Sequence, residues 1–112
     1  MTKIIKPWGF ERIIHNSKKY LFKELFMKKG HQCSLQYHNY KYETVYVTKG
    51  KLLVILKKNN RYINKILIKG DYLTIDKKII HRMKALSDCT YLEASTAHPK
   101  DVVRIEDDYA RV

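Results

Sequence analysis

A chain of 112 residues can form one hydrophobic core and is too short for two, so we predict a single domain over residues 1–112. Its 45% apolar content excludes an intrinsically disordered chain, and no apolar run approaches the roughly 18–20 residues that cross a bilayer. The net charge of +12 comes from lysines and arginines spread along the chain, so we interpret it as a solvated basic surface rather than a nucleic-acid or membrane binding site.

The first residues, M-T-K-I-I-K-P-W-G, lack the apolar segment of a signal peptide. We therefore expect a cytosolic protein. Cys33 and Cys89 match no C-x-x-C pattern, so in a reducing compartment we expect two free thiols, of which one or both are buried.

The middle of the chain consists of short apolar stretches separated by turn signals. β-Branched and aromatic residues, which pack well on a pleated surface, dominate these stretches. Between them stand K-G-K, N-N and K-G-D, and Gly and Asn accept positive φ at low energetic cost, so we predict turns there. The predicted strands are Tyr20–Met27, Thr44–Thr48, Leu52–Leu56, Ile63–Ile68, Tyr72–Ile75 and Thr90–Ala94. Strands at this spacing indicate an all-β sandwich or barrel.

The C-terminal stretch has a different periodicity. Val102, Ile105 and Tyr109 stand at helix-like intervals. This pattern predicts one short C-terminal helix.

A group of polar residues lies among the predicted strands. Gln36 and His38 are two residues apart and would share one face of a strand, and Glu43 follows after four intervening residues. His81 lies in a second stretch, Gly70 to Met83, with the same order of glycine turn, strand and loop. These side chains are either polar residues on a half-exposed sheet or a mixed nitrogen and oxygen site for Zn, Fe, Mn, Ni or Co.

The order of these residues resembles two motifs of the cupin family. Residues Gly30 to Gly50 are similar to G-x5-H-x-H-x3,4-E-x6-G, with Gln36 in place of the first His. The stretch that begins at Gly70 is similar to G-x5-P-x-G-x2-H-x3-N, with His81 in place and other residues at the Pro, second Gly and Asn positions. The resemblance implies a jelly-roll β-barrel that holds a metal ion inside.

Three stretches bring the resemblance closer to the cupin domain of type II phosphomannose isomerases. K-P-W-G-F-E, S-L-Q-Y-H and D-V-V-R-I-E-D-D-Y-A-R are similar, in the same order, to R-P-W-G-x-Y, S-L-Q-x-H-x-x-R-x-E and D-I-V-R-x-x-D-x-Y-G-R. In that branch Gln in place of the first His is the rule. The resemblance runs from Pro7 to Arg111.

The resemblance implies metal ligands and a reaction. The implied ligands of a divalent metal ion are Gln36, His38, Glu43 and His81. The metal would polarise the carbonyl and hydroxyl of an open-chain sugar while a base moves a proton between adjacent carbons. We therefore predict a metal-dependent sugar-phosphate isomerase that converts mannose 6-phosphate to fructose 6-phosphate, and a homodimer, as is common in the family.

The motifs identify neither the base nor the phosphate site. Glu93 is a candidate base, because a desolvated carboxylate can be tuned to accept a proton near neutral pH, and Lys23 is a second catalytic candidate. Arg82, Arg104 and Arg111 are candidates for binding the phosphate, since Arg offers bidentate geometry.

Two other functions stay open from the sequence. One is a different cupin enzyme, either an Fe-dependent dioxygenase or a nucleotide-sugar isomerase or epimerase. The other is a non-catalytic module that binds a sugar or another small anion.

Overall fold

The computed structural model describes residues 2–111, which form β-strands and no helix, and so no helix that is long and apolar enough to cross a membrane. In chain order the strands are β1 (Thr2–Lys6), β2 (Gly9–Asn16), β3 (Leu21–Met27), β4 (Leu35–Tyr37), β5 (Glu43–Lys49), β6 (Lys51–Lys58), β7 (Arg61–Ile68), β8 (Tyr72–Ile75), β9 (His81–Ala85), β10 (Cys89–Ser95) and β11 (Val103–Glu106). The predicted all-β class is confirmed.

The strands form two antiparallel sheets around one core. One sheet has the order β1-β2-β3-β10-β5-β8, and the other has the order β11-β4-β9-β6-β7. Neighbouring strands often come from distant parts of the sequence, as in a jelly roll. The candidate site lies between the sheets, because its residues come from β3, β5 and β10 on one side and from β4 and β9 on the other.

Alternation along each strand decides which side chains face the interior. In β5, Glu43, Val45 and Val47 are buried while Thr44 and Tyr46 are more exposed, since successive side chains of a strand point to opposite faces. Glu43 therefore shares the inner face with two core valines. A carboxylate is in this way fixed inside the sandwich.

The buried apolar side chains form a single cluster between the sheets. Full burial of one such side chain is worth about 1.5–3 kcal/mol. The cluster includes Trp8, Leu25, Met27, Val45, Val47, Leu52, Val54, Leu56, Leu67, Ile75, Met83, Ala85 and Tyr91.

The two cysteines are buried free thiols, as predicted. Burial raises the pKa of both Cys33 and Cys89 to about 11. Both thiols are therefore protonated at neutral pH, and neither is an activated nucleophile.

All six predicted strands are present, and their ends differ from the prediction by at most two residues. The predicted turns are also confirmed, with positive φ at Gly50, Asn59, Asn60 and Gly70. Strands β1, β2, β4, β9 and β11 are not among the six predicted strands. These strands are short or carry many charged residues, so they lack the apolar runs on which the prediction relied.

The predicted C-terminal helix is wrong. Val103–Glu106 is instead a strand, β11, which pairs with β4 through Val103–Tyr37 and Arg104–Gln36. Helix-like spacing over a few residues is weak evidence for a helix, because a short helix gains little stability from its own hydrogen bonds. β-Branched side chains and an available edge on β4 favour the strand.

The turn between β5 and β6, which connects the two sheets, lies close to the backbone of Asp88. Gly50 has φ +84°, and a Cβ there would lie 2.1 Å from the Asp88 carbonyl oxygen. Gly70 has φ +90°, but a Cβ there meets no described atom within 4 Å. We expect Gly70→Ala to lower the free energy of unfolding by about 1–2 kcal/mol, the cost of a left-handed alanine.

Gly50→Ala adds a clash with backbone to the same conformational cost, and we expect a further loss of about 1–3 kcal/mol. Urea unfolding of both variants measures the difference. Equal losses in the two variants would contradict the close approach of the β5–β6 turn to Asp88.

Candidate metal centre

Three ligand side chains converge between the sheets. His38 directly follows β4, Glu43 begins β5 and His81 begins β9, and all three are buried. One ligand atom from each lies within 4.8 Å of the others. Glu43 Oε1 is 3.6 Å from His38 Nε2 and 3.3 Å from His81 Nε2. Three of the four predicted ligands are thus brought together.

The imidazole rings are oriented by backbone carbonyls. His38 Nδ1 lies within hydrogen-bond distance of the Asp101 carbonyl oxygen, and His81 Nδ1 is 2.8 Å from that of Ile79. Because a carbonyl can only accept, each Nδ1 carries a hydrogen, and each Nε2 faces Glu43. An Nε2 that carries a hydrogen would donate to the carboxylate, and an Nε2 without one would offer its lone pair to a cation. Neither Nε2 has a hydrogen-bond partner within residues 2–111. Two imidazole nitrogens and one carboxylate oxygen that face one another are a ligand set that suits a divalent metal ion.

Gln36 lies next to this cluster. In the β4–β9 pairing it stands directly opposite His81, and it lines the same cavity as His38 and Glu43. Its Oε1 accepts a hydrogen bond of 2.5 Å from the Ser34 hydroxyl. The amide oxygen of Gln36 is thereby oriented, and its role as a fourth ligand stays a prediction.

The Glu43 carboxylate is held in its ionised form. Burial acts to raise its pKa, but contacts with His38, His81 and Lys41 lower the pKa well below its ordinary value. The Lys41 ammonium lies 3.3 Å from Glu43 Oε2 and 2.9 Å from Glu93 Oε2. Burial acts to lower the pKa of Lys41, but the two carboxylates raise it above its ordinary value.

Asp101 fastens the loop between β4 and β5. Its carboxylate accepts hydrogen bonds from the backbone N–H groups of Asn39, Tyr40 and Lys41 at 2.7–3.0 Å, and its carbonyl accepts from the His38 ring. Burial acts to raise the pKa of Asp101, but these backbone bonds hold it below its ordinary value. One residue thus positions a ligand ring and the backbone of the loop.

Both predicted catalytic residues line the cavity beside the metal cluster. Glu93 is buried on β10, and Lys23 lies on β3 directly opposite it. Lys23 Nζ is 3.6 Å from Glu93 Oε2 and 3.3 Å from Glu11 Oε2. Glu11 and Lys41 are not among the predicted site residues. A signal for Lys41 was available, because the pattern S-L-Q-x-H-x-x-R-x-E has a basic residue at that position.

The three predicted phosphate-binding arginines are placed differently. Arg104 and Arg111 line the cavity, whose volume is about 130 Å³. Arg104 Nε is buried and has no hydrogen-bond partner in the described part of the chain, whereas Arg111 forms a bidentate pair with Asp107. Arg82 lies outside the cavity lining and donates to the carbonyls of Cys33 and Glu106. Arg104 is therefore the arginine whose guanidinium is available to an anion.

A family model described as mannose-6-phosphate isomerase C-terminal matches residues 1–107. A search of curated protein sequences finds no significant match.

Several solved structures share the fold. The capsular polysaccharide assembling protein CapF from Staphylococcus aureus is 15% identical with a TM-score of 0.82, and the match covers 94% of this chain and 34% of CapF. KdgF from Halomonas sp. is 16% identical with a TM-score of 0.74, covering 86% and 84%. Oxalate decarboxylase from Bacillus subtilis is 16% identical with a TM-score of 0.83, covering 93% and 30%. The chain thus spans about a third of the length of CapF, and at these identities the likeness concerns the fold.

The ligand cluster predicts that metal binding depends on His38. We expect about one divalent metal ion per chain, as in other three- and four-ligand sites, and its loss in His38→Ala. Plasma mass spectrometry on protein prepared without a metal-affinity tag measures the content. His15→Ala is the control, because His15 is exposed and stacks on Tyr20 away from the cluster. Stoichiometric metal in His38→Ala would contradict the assignment.

The Asp101 contacts predict an indirect effect on the metal. Asp101→Ala frees the loop that follows His38, and we expect metal affinity to fall about 10–100-fold, as for other residues that support ligands. Asp71→Ala is the matched control, since Asp71 also caps a backbone N–H, that of Ile68, but in the β7–β8 turn. Competition with a chelating dye measures both affinities, and equal effects would show that Asp101 acts only on overall stability.

Proposed function

Because the chain belongs to the mannose-6-phosphate isomerase C-terminal family of cupin domains, we propose that it is a metal-dependent sugar-phosphate isomerase, with mannose 6-phosphate and fructose 6-phosphate as its substrate pair. One observation carries the proposal. A single cavity is lined by His38 and Glu43, the proposed metal ligands, by the buried carboxylate of Glu93, and by Arg104, whose Nε has no partner within residues 2–111. These three kinds of group suit a metal-assisted aldose–ketose exchange on a phosphorylated sugar.

The metal would be held by His38, Glu43 and His81, with Gln36 as the fourth candidate. When bound, it would supply Lewis-acid polarisation of the carbonyl and the adjacent hydroxyl of an open-chain sugar. The cavity volume of about 130 Å³ gives room for the reacting end of such a chain beside the ligands.

Glu93 is the proposed base. It would take the proton from C2 of the open-chain aldose and return it to C1, while a proton moves from the C2 hydroxyl to the C1 carbonyl oxygen. Glu93 lies between the ammonium groups of Lys41, at 2.9 Å, and Lys23, at 3.6 Å. These two lysines hold the carboxylate in place at the cavity wall, and the proposed role of Lys23 is to orient this base.

Arg104 is the proposed phosphate ligand. Its Nε is buried and unpaired within residues 2–111, and a buried donor without an acceptor costs free energy that an anion would recover. Lys6 lines the same cavity and adds positive charge, whereas the charge of Arg111 is already paired with Asp107. Arg82 is occupied by backbone carbonyls, so the structure gives it no part in this proposal.

The test is turnover of mannose 6-phosphate by metal-loaded protein, with fructose 6-phosphate detected by NMR. At saturating metal we expect Glu93→Gln to lower kcat by about 10²–10⁴-fold, the usual contribution of a general base. Glu24→Gln is the matched control, because Glu24 is a carboxylate on the neighbouring strand β3 that pairs with Arg12 on the outer surface. Mannose without the phosphate should react with a higher KM.

Other outcomes separate the alternatives. Binding of mannose 6-phosphate without conversion, under every divalent metal tried, would favour a binding module. Oxygen uptake by the iron-loaded protein would favour a dioxygenase. Full activity in Glu93→Gln would leave the isomerase standing but remove Glu93 as its base.

A further inference from the structure

A row of five buried charged side chains leads to the metal ligands. Glu11 Oε2 is 3.3 Å from Lys23 Nζ, which is 3.6 Å from Glu93 Oε2. Glu93 Oε2 is 2.9 Å from Lys41 Nζ, which is 3.3 Å from Glu43 Oε2. All five residues are buried between the sheets, with exposed fractions of 8% or less. The charges alternate in sign along the whole row.

The charges of the row do not cancel. The row holds one more carboxylate than ammonium groups, and its last member is Glu43. Beyond Glu43 stand the two imidazole Nε2 atoms, which have no hydrogen-bond partner in the part of the chain that the structure describes. A cation at this end would complete the alternation, because it would face both the carboxylate and the two lone pairs.

Lys41 is fixed beside this end. Its backbone N–H donates to Asp101 Oδ2 at 3.0 Å, and the two preceding N–H groups bond to the same carboxylate. Lys41 is 6% exposed, and its ammonium group lies between the carboxylates of Glu43 and Glu93. The ammonium is therefore held close to Glu43.

We propose that Lys41 is a positioning residue that sets the affinity of the metal site. It binds Glu43 Oε2, which leaves Oε1 as the oxygen that faces the imidazoles, so Glu43 would bind the metal through one oxygen. Its positive charge also opposes the metal, because both cations share one carboxylate. Lys41 thus stabilises the metal-free site and weakens metal binding. The proposal rests on the proposed metal site and does not depend on isomerase activity.

The test is the metal dissociation constant of Lys41→Met, which keeps the length of the side chain and removes its charge. We expect metal to bind at least about tenfold more tightly, since a charge within a few ångströms shifts an ionic equilibrium by about one to three powers of ten. The metal-free variant should melt at a lower temperature than the wild type, and metal should raise its melting temperature by more. Titration against Zn²⁺ and Mn²⁺ with a competing chelator, together with thermal unfolding, measures both effects.

Two further variants test whether the positive charge of Lys41 lowers the metal affinity. Lys41→Arg keeps the charge although its planar fork differs in shape from an ammonium group, so its metal affinity should lie closer to that of the wild type than to that of Lys41→Met. Glu93→Gln removes the other carboxylate partner of Lys41, so Lys41 interacts more strongly with Glu43 and metal should bind more weakly. If Lys41→Met does not fold, this opposite shift in Glu93→Gln carries the test.

A purely structural role predicts a different result. In that case Lys41→Met would loosen the loop that carries the ligands, and metal would bind more weakly or not at all. Weaker binding in Lys41→Met, or unchanged binding in Glu93→Gln, would overturn the proposal. Because metal affinity is read without substrate, a failure here is separate from a failure of the isomerase assay.

Discussion

The burial of the Glu43 carboxylate is the constraint around which the site is arranged. The residue is 2% exposed and begins a strand whose other inward side chains are valines. An ionised group in such surroundings loses several kcal/mol of hydration, which the protein must offset with partners. Lys41 contacts one oxygen and two imidazoles face the other. The elements that carry these partners therefore have to come together for the sandwich to close.

The C-terminal segment is one of those elements, although it lies far from the ligands in sequence. Asp101 holds the His38 ring and the loop before Glu43, and β11 pairs with β4, which otherwise meets β9 only at Gln36 and His81. A terminal helix, as predicted from the spacing of Val102, Ile105 and Tyr109, would leave β4 with little support. The strand is thus part of what keeps the ligand loop in place, and the error in the prediction concerned the site as well as the fold.

The sequence pointed to the clustered side chains better than to their partners. The resemblance to the cupin motifs implied His38, Glu43 and His81 as ligands, and the structure brings these three side chains together. Lys41 was missed, since lysine is rarely buried and here stands between two exposed tyrosines. Lys41 also pairs with Glu93, which is distant in sequence. The two residues meet because Lys41 lies just before β5, and β5 pairs with β10, which carries Glu93. Strands β1 and β2 were missed because charged side chains interrupt their apolar residues.

The charged side chains inside the fold have a different role from those on its surface. The net charge of +12 suggested a solvated basic exterior, yet the cavity lining carries charge of both signs. The carboxylate of Glu43 stands at the ligand cluster, and Arg104, whose Nε has no partner within residues 2–111, also lines the cavity. A cation is favoured at the first and an anion at the second, and a small molecule that carries both a metal-binding carbonyl and a phosphate could occupy both at once. The presence of both groups in one cavity, rather than the excess of lysines, is the physical reason to assay phosphorylated sugars first.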